Sequence, residues 1–472
     1  MVRSPESNNP RRRFFRSSGA ALLAGYAYRN GVGLGGKIAR ADTGQYQSVT
    51  IPTHEFYGDI EERLDFPKDW EIEVVKMSGH DTPVLTDEQI IERIRSPIGT
   101  KQLRDIAAGK KTAVVTFDDL TRPTAPGRIA KAVIDELNAA GIDDDHILFY
   151  AATGTHPTLS QPDARAKLGD EVLGRCAWIN HDIMHNFVNV GRTSFINRIE
   201  VNAYFNSADV KITLSGIKVH FAAGYGGGAK MVLPGVSSFR TILYNHGVIA
   251  GYVRNNDTDT GTGNPTIGMG RVVDNDMRRD MIEAARLAGV DFSVNIIYNG
   301  RREPVRVFAG DVEQAHVEAC RYAHRHYVNA NEIRGGSVDV AVINRYPQTR
   351  QGRITAYPAK EGGSGVYILQ NPMCLNTDGF LRQYRWFQNA SWWETFYQEN
   401  PGGDRLDMYG QIIIFSQYIA KRDLINNGRR KNVKLARTWD EVLGYLEEAH
   451  PDGARVGVYP YYSIQHNPIE LL

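Results

Sequence analysis

Thr112-Ala113-Val114-Val115-Thr116-Phe117 runs straight into Asp118-Asp119-Leu120-Thr121-Arg122-Pro123, and this junction decides how the chain is read. The first six residues are continuously apolar or β-branched, as a strand buried on both faces requires. Residues 125–140 then carry Ile129, Val133, Ile134 and Leu137 at helical spacing and stop at Gly141, a natural C-cap. Residues 146–152 read as the next strand. The alternation continues with strands at 210–214 and 292–298 and helices at 238–249, 276–288 and 312–327. Strands alternating with helices predict an α/β fold of mostly parallel sheets covered on both faces.

The pattern pauses near Val328-Asn329-Ala330-Asn331, and residues 338–344 (VDVAVIN) open a second series. It continues with a strand at 411–415, a helix at 439–450 and a strand at 455–459. Two domains are therefore expected, an N-terminal α/β domain over 42–328 and a C-terminal one over 329–472, with the active site in the cleft between them. The last residues are expected to pack back on the first domain. Ligands of open α/β sheets bind beyond the carboxyl ends of the strands, so the loops there are where chemistry is sought.

The 472 residues carry 55 Lys+Arg against 54 Asp+Glu, but the balance is uneven. Residues 1–41 hold eight basic residues and one acid, which leaves the remainder at 47 against 53, net −6. A mildly acidic body with no basic stripe argues against a nucleic-acid partner. Cys176, Cys320 and Cys374 are odd in number and far apart, so they form neither a disulfide framework nor a CxxC metal site. The basic head Arg11-Arg12-Arg13-Phe14-Phe15-Arg16, a weakly apolar middle and Ala39-Arg40-Ala41 resemble a twin-arginine export signal. A periplasmic destination is expected on that reading, and a cytoplasmic enzyme with a basic tail is the alternative. No uncharged apolar run of about 18 residues predicts a membrane span.

Three loops concentrate reactive groups. Asp118–Pro123 offers carboxylates, a hydroxyl and a guanidinium suited to a carboxylate or phosphate, although a salt-bridged turn would look the same. Ala151-Ala152-Thr153-Gly154-Thr155-His156-Pro157 places a histidine at a strand end, where it is either an acid/base group or structural. The third is His220-Phe221-Ala222-Ala223-Gly224-Tyr225-Gly226-Gly227-Gly228-Ala229-Lys230, whose glycines suggest backbone amides around an anion. It is not a P-loop, because Ala229 and Met231 flank the lysine where Gly and Ser/Thr are needed. The chain has neither a dinucleotide fingerprint after the first strand nor a G-x-S-x-G elbow. His246, sixteen residues after Lys230, has no histidine at i±4, so it is either a packed helix residue or one ligand of a metal whose others come from elsewhere.

The D-x-T-R-P loop (Asp119–Pro123), the G-T-H loop (Gly154–His156), His220 ten residues before Lys230, and His246 together resemble the nickel-dependent lactate racemase family. The resemblance is close over most of residues 110–250 and looser beyond. It implies a nickel-pincer nucleotide (a pyridinium-3-thioamide-5-thiocarboxylic acid mononucleotide holding Ni) tethered to Lys230, with His246 as the nickel ligand. It implies His156 and His220 as paired acid/base groups, and Arg122 holding the substrate carboxylate. Asp119, Thr121, Gly227, Gly228 and Tyr357 would contact the cofactor. Lys360 is the best local match to a substrate-holding lysine of the second domain. Arg350, Arg353 and the aromatics Trp386, Trp392 and Trp393 could shape the pocket or simply pack.

The resemblance implies an isomerase, a racemase or epimerase inverting C2 of a 2-hydroxy acid by hydride removal and return. Its partners would be a small-molecule 2-hydroxy acid and the cofactor-biosynthesis proteins that load it. The alternatives are a sugar-acid (aldonate) C2 epimerase using the same cofactor, and an exported cofactor-free binding protein for hydroxy acids.

Overall fold

The computed structural model describes residues 44–251, 264–331, 337–348, 359–372, 408–418, 432–469 and 471. The description below concerns the unit Gln47–Leu472. The expected leader, Tyr357, Arg350, Arg353, Trp386, Trp392 and Trp393 lie outside the described residues.

Two six-stranded sheets carry the fold. The first has the spatial order Pro304–Gly310, Phe292–Tyr298, Val210–Gly216, Ala113–Phe117, Ile147–Ala151, Ala177–Asn180. Its strands are parallel except Pro304–Gly310, which the tight turn from Asn299 to Glu303 (N–H to carbonyl, 3.0 Å) folds back antiparallel. Every side chain of Ala113–Phe117 is buried, as its unbroken apolar run demands. Helix Gly127–Ala139 buries Ile129, Val133, Ile134 and Leu137 against it, the helical spacing read from the sequence. From Ala113–Phe117 the chain moves outward to Ile147–Ala151 and Ala177–Asn180, then returns to place Val210–Gly216 on the other side. That reversal leaves a crevice beyond the carboxyl ends of Ala113–Phe117 and Val210–Gly216, where doubly wound sheets bind ligands.

The second sheet is parallel throughout, in the order Val433–Ala436, Gln411–Phe415, Ala359–Ile368, Val338–Asn344, Arg455–Tyr459, Glu71–Val74. Its last strand comes from well before the expected boundary at 328. Ile51, Leu64, Phe66 and Trp70 also share a core with Val340, Val366, Ile413 and Val456. The early segment thus completes the second sheet. In return, His466 donates its N–H to the Tyr327 carbonyl at 3.0 Å, and Ile464 packs with Met77, Ile217 and Tyr225.

The helix expected over 238–249 is instead a short α-turn, Phe239–Leu243, capped by Ser238, that widens into a π-turn, Tyr244–Ile249. Asn245 in that turn is fully buried, and its Nδ2 donates to Asp280 Oδ2 at 2.8 Å and to the Met277 carbonyl at 3.1 Å. Asp280 also accepts from Thr193 and Asn197, so the turn is pinned to helix Asp276–Leu287 beside His246. π-turns are rare and cluster at functional sites.

Candidate active site

A cavity at the crevice is lined by Asp119, Arg122, Thr153, His156, Gly227 and Lys230, among others. Asp119 and Arg122 leave the end of Ala113–Phe117, and His156 follows Ile147–Ala151. Lys230 sits on the short 3₁₀ turn Gly228–Met231 beyond Val210–Gly216. Chain segments far apart in sequence thus deliver one group each, as switch-point sites do.

Asp119 is buried and spends both oxygens locally. Oδ1 accepts the Thr121 N–H at 2.6 Å, and Oδ2 lies 2.8 Å from His156 Nδ1. Burial by itself would raise the Asp119 carboxyl, but His156, Arg122 and Thr121 outweigh it and hold the group well below the usual carboxylate range. An ionised carboxylate only accepts, so His156 Nδ1 carries the proton and Nε2 keeps its lone pair. Arg122 is braced by donating to Thr121 Oγ1 at 2.8 Å and to the Thr121 carbonyl at 3.1 Å. Asp119 and Thr121 therefore support His156 and Arg122, a role that their spacing alone did not disclose.

His220 is held the opposite way. Its Nδ1 accepts the N–H groups of Ala222 at 3.2 Å and Ala223 at 3.1 Å, so the neutral ring carries its proton on Nε2. Burial, then Lys230 and Arg122, depress its protonation well below the ordinary histidine value. His246 is depressed in the same direction by burial, Lys230 and His156, while the Ile242 carbonyl opposes this, so His246, Lys230 and His156 share one neighbourhood.

Lys230 is only 8% exposed. Burial first, then Arg278 and Arg122, lower its amine well below the usual lysine value and favour the neutral, nucleophilic form. Arg278 is fully buried and brought down to about 10 by burial. Its guanidinium donates to the carbonyls of Ala223 (3.0 Å), Gly227 (3.2 Å) and Tyr225.

The glycine-rich loop departs from the expected anion cradle. Its amides at Gly226, Gly228 and Lys230 donate to the Lys218 carbonyl (2.7 Å), Ser215 Oγ (3.2 Å) and the Gly227 carbonyl (3.2 Å), all within the protein. The glycines answer to packing instead. Gly227 and Gly228 have φ of +76° and +58°, and a Cβ on either would sit 2.4 Å from Ile217 Cδ1 or 2.7 Å from His316 Cδ2. The loop presents Gly227 and Lys230 to the cavity.

Lys360 is not brought to this site. It opens strand Ala359–Ile368 with its side chain 55% exposed and paired to Asp339. A different lysine, Lys218, is buried in the field of Arg122 and Lys230, and no motif in the sequence marks it. Among the described residues no group of three or more His, Cys, Asp or Glu could hold a metal ion.

Residues 57–258 match the family model of the lactate racemase N-terminal domain. Over that stretch the chain resembles the lactate racemase family. It is 28% identical over 318 residues to the lactate racemase of Thermoanaerobacterium thermosaccharolyticum, covering 65% of this chain and 70% of that one. It is 25% identical over 399 residues to the lactate racemase of Lactiplantibacillus plantarum, covering 80% and 90%. The fold matches the lactate racemase apoprotein from T. thermosaccharolyticum with a TM-score of 0.65 at 22% identity, over 89% of this chain and 99% of that one. A Thermotoga maritima protein matches with a TM-score of 0.56 at 17% identity, over 82% and 98%. At those identities the structural likenesses speak for the α/β architecture alone.

Proposed function

We propose that this protein is a 2-hydroxy-acid racemase or epimerase that works through a nickel-pincer nucleotide tethered to Lys230. The observation that supports the reading is that Arg122, His156 and a depressed Lys230 line one switch-point crevice, with His220 and His246 each in the electrostatic field of Lys230. The residues fit such a group. A buried amine favoured in its neutral form suits covalent attachment, and His246 on a pinned π-turn offers one imidazole to a metal whose other ligands are not protein side chains. When bound, the cofactor supplies the hydride acceptor.

The chain's own groups supply positioning and proton handling. Arg122 offers a braced guanidinium to the substrate carboxylate. His156, whose Nδ1 is held by Asp119, would take the substrate's hydroxyl proton on Nε2. His220 presents Nε2–H to an oxygen on its side of the site and stabilises it as a carbonyl. Protonated His156 would give its proton back to the C2 oxygen when the hydroxy acid is re-formed.

The test is to co-express the chain with cofactor-biosynthesis proteins, measure nickel and intact mass, and screen lactate, malate, phenyllactate and aldonates by chiral chromatography. The reading expects a cofactor adduct on Lys230, its loss in Lys230→Ala, and inversion at C2. Loaded conditions that give neither adduct nor nickel would refute it, and so would a Lys230→Ala variant that retains activity.

A further inference from the structure

Lys218 follows strand Val210–Gly216, is 8% exposed, and has Gln348 Oε1 as its recorded side-chain partner, a neutral acceptor. The charges around it are Arg122, Arg345 and Lys230, all cations, which together with burial press its amine well below the usual lysine value. The nearby carboxylates are committed elsewhere. Asp118 is held by Lys167 Nζ (2.5 Å), the Gly216 N–H (2.9 Å) and Thr124 Oγ1 (3.1 Å), and Asp119 by His156 and Thr121. No ion pair joins Lys218 to a carboxylate among the described residues. Buried lysines without a counter-ion are rare, because desolvating the ammonium is costly unless an opposite charge repays it.

Gln348 and Arg345 follow strand Val338–Asn344 of the second sheet, whereas Arg122 leaves the first. The cations therefore approach the crevice from two sides. One guanidinium is enough for one carboxylate. A substrate with a single carboxylate on Arg122 and a methyl group toward Lys218 would leave that amine buried with no opposite charge to hold a proton on it.

Taking the site to be that of a 2-hydroxy-acid racemase, we propose that Lys218, steadied by Gln348 and flanked by Arg345, binds a second anionic group on the substrate. The preferred class is then a 2-hydroxy acid with a further carboxylate. Lys218 is a specificity-determining residue on this account and takes no part in proton or hydride transfer.

Calorimetry on the full chain without cofactor, at fixed ionic strength, tests this with malate and tartrate against lactate. Nicotinate mononucleotide and nicotinate riboside serve as probes for a phosphate. The wild-type protein should favour the dicarboxylates by about tenfold or more, the worth of one charge-assisted contact in a buried site. Lys218→Met, and separately Gln348→Glu, which sets a carboxylate against the lysine, should each bring the malate-to-lactate ratio close to one. A ratio near one in the wild type overturns the proposal, as does a ratio that survives both substitutions. If Lys218→Met instead abolishes the preference for mononucleotide over riboside and leaves the malate ratio intact, the lysine serves the cofactor phosphate and the proposal is wrong. Failure of the racemase reading looks different, since the loaded wild type would invert no hydroxy acid while the Lys218-dependent binding ratio stayed in place.

Discussion

Replacing Asp119 with Asn is the sharpest probe of how the site works. The change keeps shape and volume but removes the charge from a buried carboxylate whose Oδ2 lies 2.8 Å from His156 Nδ1. A charge-assisted hydrogen bond of this kind contributes about 1.5–3 kcal/mol. On the proposed mechanism His156 becomes an imidazolium in the transition state, and an ion pair about 4 Å apart at an effective dielectric near 20 is worth roughly 4 kcal/mol. Each ~1.4 kcal/mol is a factor of ten in rate, so Asp119→Asn should lower kcat about 10- to 1000-fold. The change in KM should be smaller, because Arg122 keeps its own contacts with Thr121.

The assay is the chiral rate measurement on cofactor-loaded protein, paired with ¹⁵N–¹H spectra of the histidine rings. In the wild type His156 should show the Nδ1–H tautomer and His220 the Nε2–H tautomer, and the substitution should unsettle only the first. Stability adds an independent reading. Because the Asp119 carboxyl is depressed in the folded protein, its stabilisation is present above the unfolded value near ~3.9 and fades as pH falls through the lower folded value. The stability gap between wild type and Asp119→Asn should thus shrink below about pH 4. A kcat within threefold of wild type, with His156 still in the Nδ1–H form, would refute the assignment of Asp119 as its orienting partner.

Two further substitutions test the scaffold. Arg278→Met strips the donors from buried carbonyls at Ala223, Tyr225 and Gly227, and at about 1–3 kcal/mol for each orphaned group it should destabilise the fold by at least ~3 kcal/mol in denaturant titrations. Hydrogen exchange should speed up over residues 223–231 in particular, and an unchanged loop would reject the clamp. Lys167→Met leaves Asp118 charged and buried without its 2.5 Å partner, so about 3–5 kcal/mol should be lost, and a loss under ~1 kcal/mol would contradict the burial argument.

Much of the fold was legible because local signals agreed with the tertiary outcome. Strands Phe292–Tyr298, Val338–Asn344, Gln411–Phe415 and Arg455–Tyr459 end where their apolar runs end. Long-range pairing left no comparable trace. Glu71–Val74 is four residues with two carboxylates, and nothing in them names Arg455–Tyr459, nearly four hundred positions on, as the neighbour. Likewise Asp119 and His156 are each recognisable as reactive, but their contact spans 37 residues and is made by two adjacent parallel strands. The glycine loop misled for a different reason. Glycine is needed both where a ligand approaches the backbone and where another side chain does, and at Gly227 and Gly228 the close neighbours are Ile217 and His316. The π-turn was hidden because nothing in Tyr244–Ile249 names Asp280, on which Asn245 is anchored 35 residues away.

The opposed tautomers of the two histidines carry a further consequence for turnover. His156 is prepared as a base by a carboxylate, and protonating it strengthens that contact. His220 is prepared as a donor by two backbone amides, and a proton on its Nδ1 would face both N–H groups at close range. An equal exchange of acid and base roles between them therefore requires the Ala222–Ala223 backbone to turn its amides away, or the His220 ring to rotate. Phe221, 60% exposed and stacked on the His220 ring at 4.8 Å, adds a contact that such a rotation would break. The two directions of the reaction share one equilibrium, but they need not share one proton path. On the proposed mechanism, removal of the hydroxyl proton by His156 is the path that the hydrogen bonds already favour, and any path through His220 carries the cost of rearranging that turn.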